Sequence, residues 1–213
     1  MNNNAISSME YFDIHTHTPA REHSIYDSGT LYVPDMTISV GIHPWHIPAE
    51  WEETFAAIEA VAAEKNVVAI GECGIDKLRG AAETEIQKKV FLAHATLAEK
   101  VRKPMIVHCV KSFDEIIEIR KQISPSQAWI IHGFRGKPQQ ARQLTGAGLY
   151  LSLGEHFNPM SAKAVPLDRL FVESDESQRP ISEIYGSIAG AKGMTAEELV
   201  SAIRENTTIF GQF

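Results

Sequence analysis

Tyr11-Phe12-Asp13-Ile14-His15-Thr16-His17 is a short apolar run that ends in metal-ligand side chains. The same event recurs along the chain. Val67-Val68-Ala69-Ile70-Gly71 leads into Glu72, Met105-Ile106-Val107 into His108, Trp129-Ile130-Ile131 into His132, and Leu170-Phe171-Val172-Glu173-Ser174 into Asp175. Apolar, β-branched runs of this length read as buried strands. If the strands are parallel, all their ends converge on one face, where (β/α)8-barrel enzymes carry their chemistry.

Between the runs lie helical patterns. Trp51, Phe55, Ile58 and Val61 recur at helical spacing, as do Ile86, Val90, His94, Leu97 and Val101, up to Lys103-Pro104. Ser112-Phe113-Asp114-Glu115 and Thr195-Ala196-Glu197-Glu198 read as capping boxes that open helices. Pro138 starts a short helix that Gly146 and Gly148 stop. Strand alternating with helix argues for an α/β fold with a parallel sheet, here a TIM-type (β/α) barrel. Strand candidates lie near 10–15, 36–42, 67–72, 104–108, 128–132, 148–153 and 170–174. One more would close a standard barrel. The segment from Thr18 to Asp35 holds Tyr26, Leu31, Tyr32 and Val33 but no helical pattern. Either a short strand near 30–33 completes the barrel, or the second β/α unit is abbreviated or missing.

A chain of 213 residues, 44% apolar and 22% charged, suits a single globular domain over residues 1–213, without repeats or linkers. The net charge of −7 gives no long-range pull on nucleic acid, so any phosphate recognition is local. Cys73 and Cys109 do not make a disulfide framework, and the polar start from Met1 to Glu10 has no apolar signal region. No stretch approaches the roughly 20 apolar residues of a membrane span. These features lead us to expect a cytoplasmic protein with no membrane and no obligate protein partner.

Asp13, His15 and His17 share parity, so on a regular strand they share a face. Two histidines at i and i+2 can ligate one ion there, with a carboxylate from Asp175. His108 and His132 can hold a second ion, and Glu72, with two oxygens, can bridge the pair. Imidazole and carboxylate donors suit Zn²⁺, Mn²⁺ or Ni²⁺, and Mg²⁺ where waters complete the set. Two such ions, about 3.5–4 Å apart, clamp an in-line displacement and lower the pKa of a shared water. Asp175 is the candidate to take that water's proton. A single strand-end histidine is ordinarily a structural residue, but six ligand-type residues at strand ends are hard to assign to chance.

The motifs, taken in order, resemble those of the TatD family of metal-dependent hydrolases, within the amidohydrolase superfamily. Asp13-Ile14-His15-Thr16-His17 is similar to the family's D-x-H-x-H, and Gly41-Ile42-His43-Pro44-Trp45 to its G-x-H-P turn. Gly71-Glu72-Cys73-Gly74-Ile75-Asp76 resembles G-E-x-G-L-D, His132-Gly133-Phe134-Arg135-Gly136 resembles H-C-F-S-G, and Glu173-Ser174-Asp175 resembles E-T-D. His108 falls where the family has the histidine of I-H-x-R, and Glu205-Asn206-Thr207 with Phe210-Gly211 resembles its terminal helix signature. The resemblance covers nearly the whole chain from Tyr11 to Gly211. It implies a barrel hydrolase with two divalent ions and 3′–5′ exonuclease activity on single-stranded DNA. It places His15, His17, Glu72 and Asp175 around one ion and Glu72, His108 and His132 around the other, and it makes His43 a substrate-side residue.

The chain also departs from the family pattern. The segment between His17 and His43 is shorter than in the family. Val110-Lys111 stands where the family has an arginine, so Lys111 offers phosphate a point charge rather than a bidentate fork. The loop after Asp175 is cut to Gln178-Arg179-Pro180. Arg135 and Arg179 are the local cations for phosphate, with solvated loop arginine as the alternative. Asp76 and Asp13 either orient ligand histidines from behind or serve the local backbone. His94, on an apolar helical stripe, reads as a packed, hydrogen-bonded histidine. Two other readings share the ligands: an esterase, amidase or lactonase of the amidohydrolase type, and a non-catalytic metal-bound scaffold.

Overall fold

The computed structural model describes residues 10–19 and 21–211. Eight strands form one sheet in the order of the sequence: β1 (Asp13–Thr16), β2 (Ser24–Asp27), β3 (Ile38–Val40), β4 (Val67–Asp76), β5 (Met105–Val110), β6 (Trp129–Ile131), β7 (Tyr150–Leu153) and β8 (Leu170–Val172). Each neighbouring pair is parallel. An isolated parallel bridge, Thr16 to Asp175, brings the last strand end back to the first. The N–H of Asp175 donates to His15 O at 2.9 Å, and the N–H of His17 donates to Asp175 O at 3.2 Å. The barrel is thus nearly closed, and this seam runs through the ligand-type residues themselves.

Helices connect the strands from β3 onward: α1 (Trp51–Val61), α2 (Thr84–Val101), α3 (Phe113–Ile123), α4 (Pro138–Gly146), α5 (Pro159–Ala164), α6 (Ile181–Lys192) and α7 (Ala196–Ile203). Among the described residues none lies between β1 and β2 or between β2 and β3. The barrel is complete in strands there, but not with the strand expected near 30–33. Residues 30–33 form no strand, and Leu31 is 69% exposed. The eighth strand is Ser24–Asp27 instead. Only Ile25 of its four residues is fully buried, so it carries no apolar run for a sequence reading to find.

Strand alternation divides the core. Met105, Val107, Trp129, Ile131, Leu170 and Val172 face the helices, together with Phe91, Leu144 and Ile184. Ile14, Ile25, Val68, Ala69, Ile106, Ile130 and Phe171 pack with Phe210 as a separate barrel interior. Period-2 geometry then aims residues 108, 132 and 173 inward, above Ile106, Ile130 and Phe171. The expected capping box at Thr195 forms: its hydroxyl accepts from Glu198 N, and Glu198 accepts from Thr195 N. The one at Ser112 does not. Ser112 does precede α3, but its hydroxyl donates to Ile75 O at 2.7 Å and ties the helix start to β4.

Candidate metal centre

Glu72 lies at the middle of the barrel mouth, almost fully buried. It ends a crowded approach of β3, β4 and β5. Gly71 has φ 138°, and a Cβ there would collide with the Ile106 carbonyl, so only glycine lets β4 pass β5 this closely. The two carboxylate oxygens of Glu72 then look in different directions. Oε2 lies 3.3 Å from His15 Nε2 and 3.6 Å from His17 Nε2. Oε1 lies 2.6 Å from His108 Nδ1, 2.7 Å from His132 Nε2 and 3.0 Å from His43 Nε2. Asp175 Oδ1 stands 3.5 Å from His17 Nε2 and 3.8 Å from His15 Nε2. The six residues read from strand ends therefore meet at one point, supplied by β1, β4, β5, β6 and the end of β8.

The protonation pattern follows from these contacts. Burial alone would raise the Glu72 pKa, but the His132 charge and the close approach of the His108, His132 and His15 rings hold it well below the usual range. Burial alone would likewise lower the His132 pKa, but the charges of Glu72 and Glu173 carry it well above. His17 is raised to about 9, chiefly by its contact with Glu72. Asp175 is raised by burial and by the nearby Glu173 charge.

Carboxylates also stand behind the histidines. His108 Nε2 meets Asp76 Oδ2 at 3.2 Å, and that oxygen also accepts from the Trp45 indole at 2.6 Å. The other Asp76 oxygen accepts from Leu78 N and Arg79 N at 2.7 and 2.9 Å. Asp76 thus does both things the sequence left open: it caps the turn after β4 and fixes the His108 ring with Nδ1 toward Glu72. Glu173 Oε1 lies 3.4 Å from His132 Nδ1, and Asp27 Oδ2 lies 3.5 Å from His17 Nδ1. Trp45 N donates to His43 Nδ1 at 3.1 Å, so a neutral His43 carries its proton on Nε2 and presents a donor rather than a lone pair.

Asp13 does not join the ligands. Its oxygens accept from Ser174 N at 2.9 Å and Ser174 Oγ at 2.6 Å, with the Arg21 guanidinium 3.8 Å away. The β1–β2 register shifts between Asp13 and Thr16. Arg135 is exposed and lines a cleft of about 380 Å³ beside Gly154, Glu173 and Asp175. Lys111 is exposed beyond β5, with φ 56°, and among the described residues no hydrogen bond or ion pair joins it to the centre. Arg179 is engaged with Glu183 at 3.3 Å and Glu155 at 3.9 Å. His94 is fully buried on α2 and accepts from Ile42 N at 3.0 Å, the packed role expected of it. Asp27, and Glu173 as a partner of His132, had no role assigned from sequence. Asp27 follows Ile25 at the same spacing by which His108 follows Ile106, and that alternation was the available signal.

The donors fit divalent cations. His15 Nε2 is buried and has no hydrogen-bond partner, although it faces carboxylate oxygens of Glu72 and Asp175. A cation satisfies such lone pairs where hydrogen bonds do not. Several triplets can hold one, among them His15, His17 and Asp175, and His15, Glu72 and His132.

A family model described as TatD related DNase matches residues 14–210. The chain belongs to the TatD family. The Bacillus subtilis protein named uncharacterized metal-dependent hydrolase YabD is 31% identical over 189 residues, which span 79% of this chain and 74% of that relative. The 3′-5′ ssDNA/RNA exonuclease TatD of Erwinia tasmaniensis is 29% identical over 183 residues, 81% of this chain. This TatD chain spans 64% of that exonuclease, and only 56% of an uncharacterized metal-dependent hydrolase of Buchnera aphidicola that is 30% identical over 66% of this chain. The crystal structure of the Escherichia coli TatD homolog YJJV superposes with TM-score 0.80 at 18% identity, covering 94% of this chain and 97% of that one. A TatD family hydrolase from Entamoeba histolytica gives TM-score 0.75 at 15% identity, covering 95% and 98%. At these identities the two structures show a shared TatD fold.

Proposed function

We propose that this protein is a divalent-metal-dependent phosphodiesterase that removes nucleotides from the 3′ end of single-stranded nucleic acid. The observation that carries this reading is the division of Glu72, with Oε2 toward His15 and His17 and Oε1 toward His108 and His132. His15, His17, Asp175 and Oε2 would hold one ion; His108, His132 and Oε1 would hold the other. Ions held there supply Lewis acidity, acidifying a water and neutralising charge on the phosphoryl oxygens.

The chain's own groups do the rest. Asp175 stands at the mouth, 24% exposed, with its pKa raised by burial, and takes a proton from the attacking water. His43 Nε2–H donates toward a non-bridging phosphate oxygen. Arg135, in the cleft beside Asp175, supplies a local cation for a neighbouring phosphate. The sugar 3′-oxygen leaves. The Erwinia relative's name supports single-stranded DNA or RNA as the substrate class. No helix among the described residues is long and apolar enough to cross a membrane, and the two cysteines are free, which suits the reducing cytoplasm.

The test is hydrolysis by protein reconstituted with Mg²⁺, Mn²⁺, Zn²⁺ or Ni²⁺, offering single-stranded DNA, bis-p-nitrophenyl phosphate and simple carboxylic esters side by side. Metal-dependent release of nucleotides from the 3′ end is expected. Ester hydrolysis with inert phosphodiesters would overturn the nuclease reading in favour of an acyl hydrolase.

A further inference from the structure

Asp27 ends β2 with the alternation that positions the ligand-type residues on other strands. Ile25 is fully buried in the barrel interior with Ile14, Ile106 and Ile130. The next inward side chain on such a strand is two residues on. Asp27 therefore stands above Ile25 as His108 stands above Ile106. Its side chain is 8% exposed, and Oδ2 lies 3.5 Å from His17 Nδ1. Oδ1 accepts from Glu72 N at 3.2 Å and from Gly29 N at 3.3 Å. One buried carboxylate thus touches the imidazole of His17 and the backbone of Glu72. On the other side of the same imidazole, Nε2 faces Glu72 Oε2 and Asp175 Oδ1.

We propose that Asp27 is a positioning residue: it holds His17 in the Nδ1–H tautomer, so that the Nε2 lone pair faces Glu72 and Asp175. The proposal rests on His17 being a metal ligand. A ligand histidine ordinarily donates its other N–H to a carboxylate or carbonyl, and loss of that partner costs about 10–100-fold in metal affinity. Asp76 stands in that relation to His108 within the same segment as Glu72. Asp27 comes instead from a strand reached without an intervening helix, so the shortened part of the chain contributes to the centre as well as to the barrel wall. The hold on Glu72 N also couples His17 to the shared carboxylate, so disturbing β2 disturbs both.

Asp27→Asn tests this directly. Its amide oxygen can still accept from Glu72 N and Gly29 N, which leaves an NH₂ facing His17 Nδ1 and reverses the favoured tautomer. In metal-free protein with the ring neutral, nitrogen-15 NMR is expected to show a larger share of the Nδ1–H tautomer in the native protein than in the variant. Calorimetric titration with Zn²⁺ is expected to show one class of site weakened about 10–100-fold and the other unchanged. Asp27→Ala also removes the hold on Glu72 N, so it should weaken both classes of site, the His17 site more, without imposing the reversed tautomer. An unchanged tautomer and affinity in Asp27→Asn would overturn the proposal, as would equal weakening of every site, which marks a general loss of structure. Native protein that binds no Zn²⁺ would instead overturn the metal reading above, while the tautomer measurement still decides the role of Asp27.

Discussion

Asp175 holds a left-handed backbone at φ 54°, a conformation aspartate tolerates better than most residues, and there its main chain bridges to β1 while its carboxylate faces His15 and His17. It is one of several ion contacts at the centre, but it is the acid best placed to exchange a proton, because it is partly exposed and its pKa is raised. Asp175→Asn keeps an oxygen donor and removes the proton acceptor. The variant is expected to bind metal with native stoichiometry and to lose about 10²–10⁴-fold in kcat. Metal content with steady-state kinetics checks this, and native kcat would remove Asp175 from proton transfer. At this scale much of the site was legible. His15, His17, Glu72, His108, His132 and Asp175 are read from strand ends alone. Asp27 was not, because Ser24-Ile25-Tyr26 is too short and polar to announce a strand. Asp13 takes the backbone role of the two left open for it, accepting from Ser174 N rather than from a ligand imidazole.

At the scale of elements, α2 is joined to the end of β3 by His94. Its Nδ1–H donates to Val90 O at 2.8 Å and its Nε2 accepts from Ile42 N, next to His43. Only the neutral ring can do both. Burial drives its pKa from 6.5 to about 4, the bond to Val90 opposing only in part. Between pH 6.5 and 4 the unfolded chain therefore binds the proton and the folded chain does not. Stability from this group is complete above pH 6.5 and is lost as pH falls toward 4. For metal-free protein the His94 contribution should fall by about 2 kcal/mol from pH 7 to pH 5. Urea unfolding at both pH values, native beside His94→Gln, measures it: the variant should lose less by that amount. Equal losses would show that His94 does not carry the slope. The helical stripe identified this residue as packed; which backbone groups it joins depended on how α2 lies across β3.

At the scale of the whole molecule, the seam between β1 and β8 and the cation donors coincide. Ions bound by His15, His17, Glu72 and Asp175 would tie together β1, β4 and the end of β8, so binding should stabilise the closed barrel. At a free ion concentration about 1,000 times Kd the stabilisation is about 4 kcal/mol. For a chain of this size that corresponds to roughly 10 °C in Tm. Thermal unfolding of loaded protein, with and without a chelator, should show that drop, and an unchanged Tm would contradict tight binding by the folded barrel alone. The sequence by itself determined the alternation of strands and helices, the inward direction of most ligand-type residues and the family motifs, because period-2 and period-3.6 patterns are local properties of the chain. Only the tertiary structure decided which strand fills the second place, that the two oxygens of Glu72 divide between two groups of histidines, and that Asp27 stands behind His17. Those facts depend on register and on distances between residues far apart in the chain, set by the closure of the whole barrel.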